Sequence, residues 1–464
     1  MKELKVDSRY LRPFSSIKNK LSDKELKFFK ENGFVLCKGL LSSDHLEPLV
    51  YEFAEVLDQL YTKLYKEKKV ISAEFYERTK YLPFEERYRA LIEETGQVYI
   101  EYFRPSLPNE IKTISPETPM HFGPEVFKLL TNNKVLNCIE QIFGHGEIYC
   151  NPIQNFRIKP PNRVLPKNIN LIKDDGAGAA DNEIASCNGY SNSKTIDKAS
   201  STAIISEGDV NGAKSLNDKK NVRRLPAGLV GTTPWHQDNA VCTEDSDNTQ
   251  MVTAWIPLHD VPIDNGTLLI APKTQKLGLL GHCVQKENRE VTLSLKQVLE
   301  AAGNVKKYNV NDDTNLGTPW KHCPQGLKAD GVFALEFEKG DVVFLDKRVV
   351  HASDTNRTND FRFSADFRYN KVGEPNGRDI LPGFVVRTNN PDIAEREKMS
   401  GGNGGRRMLL MNEKLSKTEI LKMAAKWKKM WMDKRTELST MNDSTEYTGR
   451  DRWTKNLENP VYCA

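Results

Sequence analysis

The stretch 361-FRFSADFRY-369 alternates apolar and polar residues over nine positions. A period of two marks a strand with one buried face, because successive side chains point to opposite sides of a sheet. Other stretches repeat this grammar. Val252, Ala254 and Ile256 alternate with Thr253, Trp255 and Pro257; residues 333–338 alternate again, and 342-VVFLD-346 is a short apolar run. Asp264-Asn265-Gly266 and Lys339-Gly340-Asp341 supply turn chemistry between them. The segment 251–276 therefore reads as strand, turn, strand. The second half of the chain reads as an antiparallel sandwich, and the expected class is mainly β with flanking helices.

Trp235-His236-Gln237-Asp238 precedes the first of these strands, and His351 follows 115 residues after His236. In an extended strand, residues i and i+2 share a face, so His236 and Asp238 can aim at one ion while Gln237 points away. Two imidazoles and a carboxylate form the mixed N,O set that holds non-haem Fe(II) and leaves coordination positions open. The tripeptide alone also suits a polar strand end with a hydrogen-bonded histidine. Its context, a second histidine just past the 342–346 strand, favours the metal. Arg362 comes eleven residues after His351, and its planar fork matches a carboxylate in a way a lysine does not. Ser364 shares its face and offers a hydroxyl. A surface salt bridge is the competing reading for Arg362, and Arg368 is read as structural. His45, His121, His145, His259, His282 and His322 lack partners at metal spacing and are read as structural or exposed, with His121 and His145 able to line a substrate mouth.

Together these motifs resemble the phytanoyl-CoA dioxygenase family of Fe(II)/2-oxoglutarate oxygenases. The resemblance rests on Trp235-His236-Gln237-Asp238, Thr253-Ala254-Trp255-Ile256-Pro257-Leu258, Asn265-Gly266, Ile270-Ala271-Pro272, residues 340–344, residues 351–356 and Phe361-Arg362. It implies a double-stranded β-helix (jelly-roll, cupin-like) with iron on His236, Asp238 and His351. It also implies that Arg362 pairs with the distal carboxylate of 2-oxoglutarate, that Trp255 lines the cosubstrate slot beside Ser364, and that Lys159-Pro160-Pro161 belongs to the strand before the first ligand loop. Related halogenating enzymes carry Gly or Ala where Asp238 stands, so the carboxylate argues for oxygenation. The implied cofactors are Fe(2+), 2-oxoglutarate and O2, with ascorbate as an optional reductant. The implied reaction oxidises an unactivated C–H of a small molecule, lipid or acyl-CoA-like substrate and releases succinate and CO2. No catalytic residue beyond the metal ligands is expected. The alternative is a silent jelly-roll that serves as a binding or scaffold protein. The family's Pro-Gly-Ser-His is here Pro272-Lys273-Thr274-Gln275, which puts the local substrate-facing geometry in question.

The resemblance extends to the N-terminus. Ser22 and Glu25 form a capping box, Leu21 and Leu26 a hydrophobic staple, and Gly33 can end the helix before a Phe34-Val35-Leu36 strand; Ser43 opens a longer helix. The expected organisation is a tail at 1–20, one oxygenase domain at 21–372 and an extension at 373–464. Residues 167–223 are rich in Asn, Asp, Gly, Ser, Ala and Lys, with Tyr190 their only aromatic. They fall in an insertion at about 163–230 that cannot bury enough to fold by itself. A helix near 293–302 lies in the region expected to set specificity. In the extension, Ser416 and Glu419 form another capping box, followed by Ile420, Ala424, Trp427 and Trp431 at helical spacing. This basic amphipathic helix, at about 416–436, either docks its Trp stripe on the domain or makes a weak contact with a partner, a membrane surface or a polyanionic substrate.

At 38% hydrophobic, 28% charged and net +4, the composition is that of a globular chain and gives no general charge excess for nucleic acid. No apolar run suits a signal peptide or a transmembrane segment. The eight cysteines include no Cys-x-x-Cys pair and point to a reducing compartment, so a cytoplasmic monomer is expected.

Overall fold

The computed structural model describes residues 19–67, 69–108, 113–144, 146–164, 232–284, 290–306, 318–319, 332–378, 380–390, 416–441 and 449–456. Nearly all of the expected tail and insertion lies outside these residues, as do His145 and His322. The capping boxes and the staple set the N-terminal architecture. Helix α1 (Asp23–Asn32) has Ser22 and Glu25 bonded reciprocally, and Gly33 ends it at φ 81°. Strand β1 (Phe34–Cys37) follows, then α2 (Ser43–Thr62), α3 (Ala73–Thr79), α4 (Phe84–Thr95), α5 (Pro124–Leu130) and α6 (Asn133–Phe143).

Two antiparallel sheets form the centre. In chain order the strands are β2 (Ile148–Lys159), β3 (Thr233–His236), β4 (Met251–Pro257), β5 (Leu268–Ala271), β6 (Cys283–Val284), β7 (Val291–Thr292), β8 (Thr318–Pro319), β9 (Phe333–Ala334), β10 (Val342–Asp346), β11 (Val350–Ser353), β12 (Arg362–Lys371) and β13 (Phe384–Arg387). The six-stranded sheet runs β1-β10-β4-β12-β2-β13 and the five-stranded sheet β3-β11-β5-β9-β8. This is the expected jelly-roll-type arrangement with flanking helices. The sheets do not close into a barrel.

The period of two in β12 sorts its neighbours. Phe363, Ala365, Phe367 and Tyr369 join the core under the helices, including Phe53, Tyr88 and Phe103. Arg362, Ser364, Asp366 and Arg368 occupy the opposite face, also buried. Between the sheets, Trp255, Val343 and Leu345 meet Leu268 and Ile270. Helix α7 (Leu295–Lys306), the one expected near 293–302, contributes Val298 to a cluster with Trp235 and Leu269 on the far side of the smaller sheet.

The 251–276 segment is strand, turn, strand as expected, with β4 and β5 in different sheets rather than paired with each other. Asn265 turns this corner, donating to Thr358 Oγ1 at 2.8 Å and to the Asp360 carbonyl at 3.1 Å. Residues 333–338 pair as a strand only at Phe333–Ala334, with a single further bridge from Phe337 to Val261.

Helix α8 (Lys417–Thr440) begins at the Ser416–Glu419 capping box and runs past the expected end. Its Met423, Ala424, Trp427, Trp431 and Leu438 are buried, and Trp427 stacks on Phe384 of β13 with ring centroids 3.9 Å apart. Arg435 donates to the Thr118 carbonyl at 3.0 Å. The Trp stripe therefore docks and the lysines form the outer face. No helix among the described residues is long and apolar enough to cross a membrane. Cys37, Cys138, Cys150 and Cys242 are buried thiols, whereas Cys283 is disulfide-bonded. The cysteine pattern thus no longer argues for a reducing compartment.

Replacing Trp427 by Ala removes the stacked ring from a buried site. A loss of about 3–5 kcal/mol is expected, seen as a clear fall in thermal midpoint.

Candidate metal centre

His236 and His351 sit directly opposite each other in the β3–β11 pair, with ring centroids 4.3 Å apart. Each Nδ1 faces a backbone carbonyl two residues back: His236 to Pro234 at 2.8 Å and His351 to Val349 at 3.0 Å. That bond requires the proton on Nδ1, so both Nε2 atoms are left with lone pairs. Strand β3 ends at His236, and Asp238 opens a 3-10 turn (Asp238–Val241). The two residues still converge, but across the end of a strand rather than along one face. Gln237 points away as expected, its side-chain amide donating to the Gly278 and Arg348 carbonyls at 2.9 and 2.6 Å.

One ligand atom from each of His236, Asp238 and His351 can be chosen so that all three lie within 4.8 Å of one another. Burial, then the neighbouring His351, holds the His236 imidazole well below its usual value, in its neutral ligating form. Burial also pushes the Asp238 carboxyl up, but Arg368 and the two histidines outweigh it and keep the group ionised. Two imidazole nitrogens and one carboxylate fit a divalent ion such as Fe(II).

Asp238 is gripped from the larger sheet. Arg368 Nη2 donates to Oδ1 and Thr253 Oγ1 to Oδ2, each at 2.5 Å. Arg368 and Thr253 are register partners on β12 and β4. The reading of Arg368 as structural therefore misses its contact with a ligand. The period of two counted on from Arg362 would have placed it on the same inner face.

Arg362 is wholly buried on that face. Its Nη1 donates to Ser364 Oγ at 2.5 Å, and its guanidinium carbon lies 5.6 Å from the Trp255 ring centroid. Nε and Nη2 have no hydrogen-bond partner among the described residues. Burial lowers its pKa to about 9. A buried guanidinium with an open edge is costly unless an anion completes it, so this arrangement fits a carboxylate. Lys159 stands opposite Arg362 in the β12–β2 register, and its Nζ donates to Ser353 Oγ and to the Asp354 carbonyl. Burial, with Arg362 and Arg157 nearby, holds its pKa well below the usual lysine range. A cavity partly open to solvent is lined by His236, Asp238, His351, Trp255, Arg362 and Arg368, with Arg157 and Asp366 beside them.

Residues 225–364 match the family described as phytanoyl-CoA dioxygenase, PhyH. The match covers this stretch of the chain and not the whole of it. The PhyH match takes in all three candidate ligands, Arg362 and Ser364, and leaves the N-terminal helices and the C-terminal extension outside it. No curated protein matches the sequence. Among solved structures, similar chains include SnoK, a non-haem alpha ketoglutarate dependent carbocyclase from nogalamycin biosynthesis, at 14% identity, 77% of this chain, 86% of that chain and TM-score 0.34. ThoJ, a non-haem monooxygenase, has 13% identity, 89% and 96% coverage and TM-score 0.39. EvdO2 from Micromonospora carbonacea var. aurantiaca, complexed with 2-oxoglutarate, has 14% identity, 78% and 97% coverage and TM-score 0.34. These superpositions are loose, and the fold rests on the strand order and register given above.

Of the remaining histidines, His259 is a turn residue and His121 pairs with Glu52 at 2.7 Å. His282 is buried outside the ligand set, yet its Nε2 accepts the Gln237 backbone N–H at 3.2 Å. Neither Lys159 nor His282 carries a local signal of this role, because each acts through residues distant in sequence.

Two expectations follow. Arg368→Met leaves a buried carboxylate without its cation and should cost about 3–5 kcal/mol in thermal or denaturant melts. Burial lowers the His282 pKa to about 4, against about 6.5 in an unfolded chain. The unfolded chain then binds the proton more readily, so this histidine's contribution is complete above pH about 6.5 and is lost progressively towards pH about 4. Melts across that window should show the fall, and His282→Gln should flatten it.

Proposed function

We propose that this chain is an Fe(II)- and 2-oxoglutarate-dependent dioxygenase that oxidises a C–H bond of a small polar molecule. The observation that carries this reading is the open edge of Arg362, facing the same cavity as the three metal donors. A metal site alone suits many roles, and a buried arginine alone suits a structural one. A metal site with a buried carboxylate receptor in one cavity calls for a ligand that bridges them.

His236 and His351 would hold the ion through Nε2, and Asp238 through a carboxylate oxygen kept anionic by Arg368. Iron(II) with 2-oxoglutarate and O2 supplies the oxidising power for an unactivated C–H, with succinate and CO2 as co-products. Arg362 would bind the distal carboxylate of the cosubstrate through Nε and Nη2, with Ser364 fixing the guanidinium and Trp255 packing beside it. Lys159, adjacent in register, is committed to Ser353 and the Asp354 carbonyl beside this end of the cavity. With no acid or base needed beyond these groups, the chain's contribution is orientation and exclusion of water.

The polar lining supports a small polar substrate over an acyl chain. Asp366 Oδ1 and Arg368 Nε and Nη1 are buried without hydrogen-bond partners among the described residues, and both residues line the cavity. An acyl chain there would leave them unsatisfied, which is costly. A silent scaffold has no use for the complete donor set and open guanidinium.

The test is succinate formation from 2-oxoglutarate with Fe(II) and O2, screened against polar metabolites and acyl thioesters. Arg362→Leu should weaken 2-oxoglutarate binding by at least about 30-fold, since a truncated buried charge pair costs about 2–5 kcal/mol. His236→Ala should abolish iron-dependent turnover. Unchanged 2-oxoglutarate affinity in the first variant would overturn the role of Arg362, and full turnover in the second would overturn the metal assignment.

A further inference from the structure

The turn that carries Asp238 is braced by a segment more than 200 residues away, beyond the PhyH match. After Gly449, a short 3-10 helix (Asp451–Asn456) lies against it. Trp453 Nε1 donates to the Ala240 carbonyl at 2.7 Å, inside the turn that Asp238 opens. The Trp453 ring packs with Ala240, Val284 and Val291, and stands 5.2 Å from the His282 ring. Asn456 Nδ2 donates to the His282 carbonyl at 2.8 Å, and His282 Nε2 in turn accepts the backbone N–H of Gln237, the residue between two candidate ligands. Arg452 closes the far end of the loop, donating to the two Asp247 oxygens at 2.8 and 2.6 Å. Asp247 Oδ1 also receives the Asn239 side-chain amide at 2.9 Å. A Cβ at Gly449 would lie 2.2 Å from the Cys242 carbonyl group, so the two backbones touch there.

The backbone of the ligand turn is thus tied on both sides of Asp238, at Gln237 and at Ala240. Within the PhyH match the turn's backbone is also tied by the Asn239 N–H, which donates to the Lys347 carbonyl at 3.0 Å, but the Trp453 tie and the Asn456 support of His282 come from beyond it. Strand β3 ends at His236, and Asp238 has left the ladder that fixes the histidines. Arg368 and Thr253 hold the Asp238 carboxylate, but a less firmly held turn backbone would have to be ordered further on binding an ion, and that cost would weaken binding.

We propose that the C-terminal segment Arg452–Asn456 is a positioning element of the metal centre, with Trp453 as its principal residue and Asn456 acting through His282. The proposal rests on the reading of His236, Asp238 and His351 as metal ligands. It assigns the extension a part in ion binding, and it makes the centre depend on residues from both ends of the sequence interval between 236 and 456.

The full-length chain is titrated anaerobically with Fe(II), and in parallel with Co(II), and the dissociation constants are compared among variants. Trp453→Phe keeps an aromatic ring and removes the N–H donor; about a tenfold weakening is expected, within the range for outer partners of metal ligands. Asn456→Ala should weaken binding in the same direction by a smaller factor, and it provides the reading should Trp453→Phe fold poorly. Trp427→Phe, on α8 and away from the turn, serves as the control: it should lower the thermal midpoint and leave the metal affinity unchanged. A purely structural role for Trp453 would give the same pattern as the control and would overturn the proposal. Unchanged affinity in both Trp453→Phe and Asn456→Ala would overturn it too. If the unaltered chain bound neither ion, the metal-centre reading itself would fall, which separates the two outcomes.

Discussion

The contact between Arg368 and Asp238 joins the two halves of this molecule. Asp238 belongs to a turn attached to the smaller sheet and Arg368 to the centre of the larger one, and both are buried. A buried carboxylate is tolerated only with a charge partner and filled lone pairs, and Arg368 and Thr253 supply them. The same grip holds the anionic form that a divalent ion requires. Sheet packing, protonation state and ligand direction are therefore set by one pair.

Strand β12 makes that pair possible by dividing its residues into two environments. Its aromatic face is absorbed by the helices, so its polar face can be committed to the interior between the sheets. Four successive inner positions carry Arg, Ser, Asp and Arg, and the three charged ones line different parts of the cavity. Arg157 pairs with Asp366 from the neighbouring β2, leaving Arg362 to look for a carboxylate elsewhere. In most sandwiches such a face would be aliphatic. Here the aliphatic packing retreats to Trp255, Val343, Leu345, Leu268 and Ile270 at one side.

Much of this was legible in the sequence where local chemistry decides. The capping boxes at Ser22 and Ser416, the stop at Gly33, the alternation of β12 and the docking stripe of Trp427 and Trp431 depend on neighbours a few residues away. The candidate ligands and Arg362 were legible through residue type and spacing. The partition of β4 and β5 between sheets was not, because Asp264-Asn265-Gly266 offers the same turn chemistry to a hairpin and to a corner. Lys159, His282 and Trp453 were illegible for a related reason: each works through contacts with residues far along the chain. The Arg368 contact lay between these cases, since its face was countable but its partner was not.

Strand β3 also has a thermodynamic meaning. It is four residues long, lies at the edge of its sheet and pairs only with β11, yet it carries His236. Edge segments of this kind open locally at less free energy than the molecule as a whole. An ion bound across β3, its turn and β11 would add its own binding free energy to that edge. Amide hydrogen exchange in Trp235 and His236 would then report ion occupancy directly. An edge strand of the smaller sheet becomes a gauge of whether the protein is charged with metal.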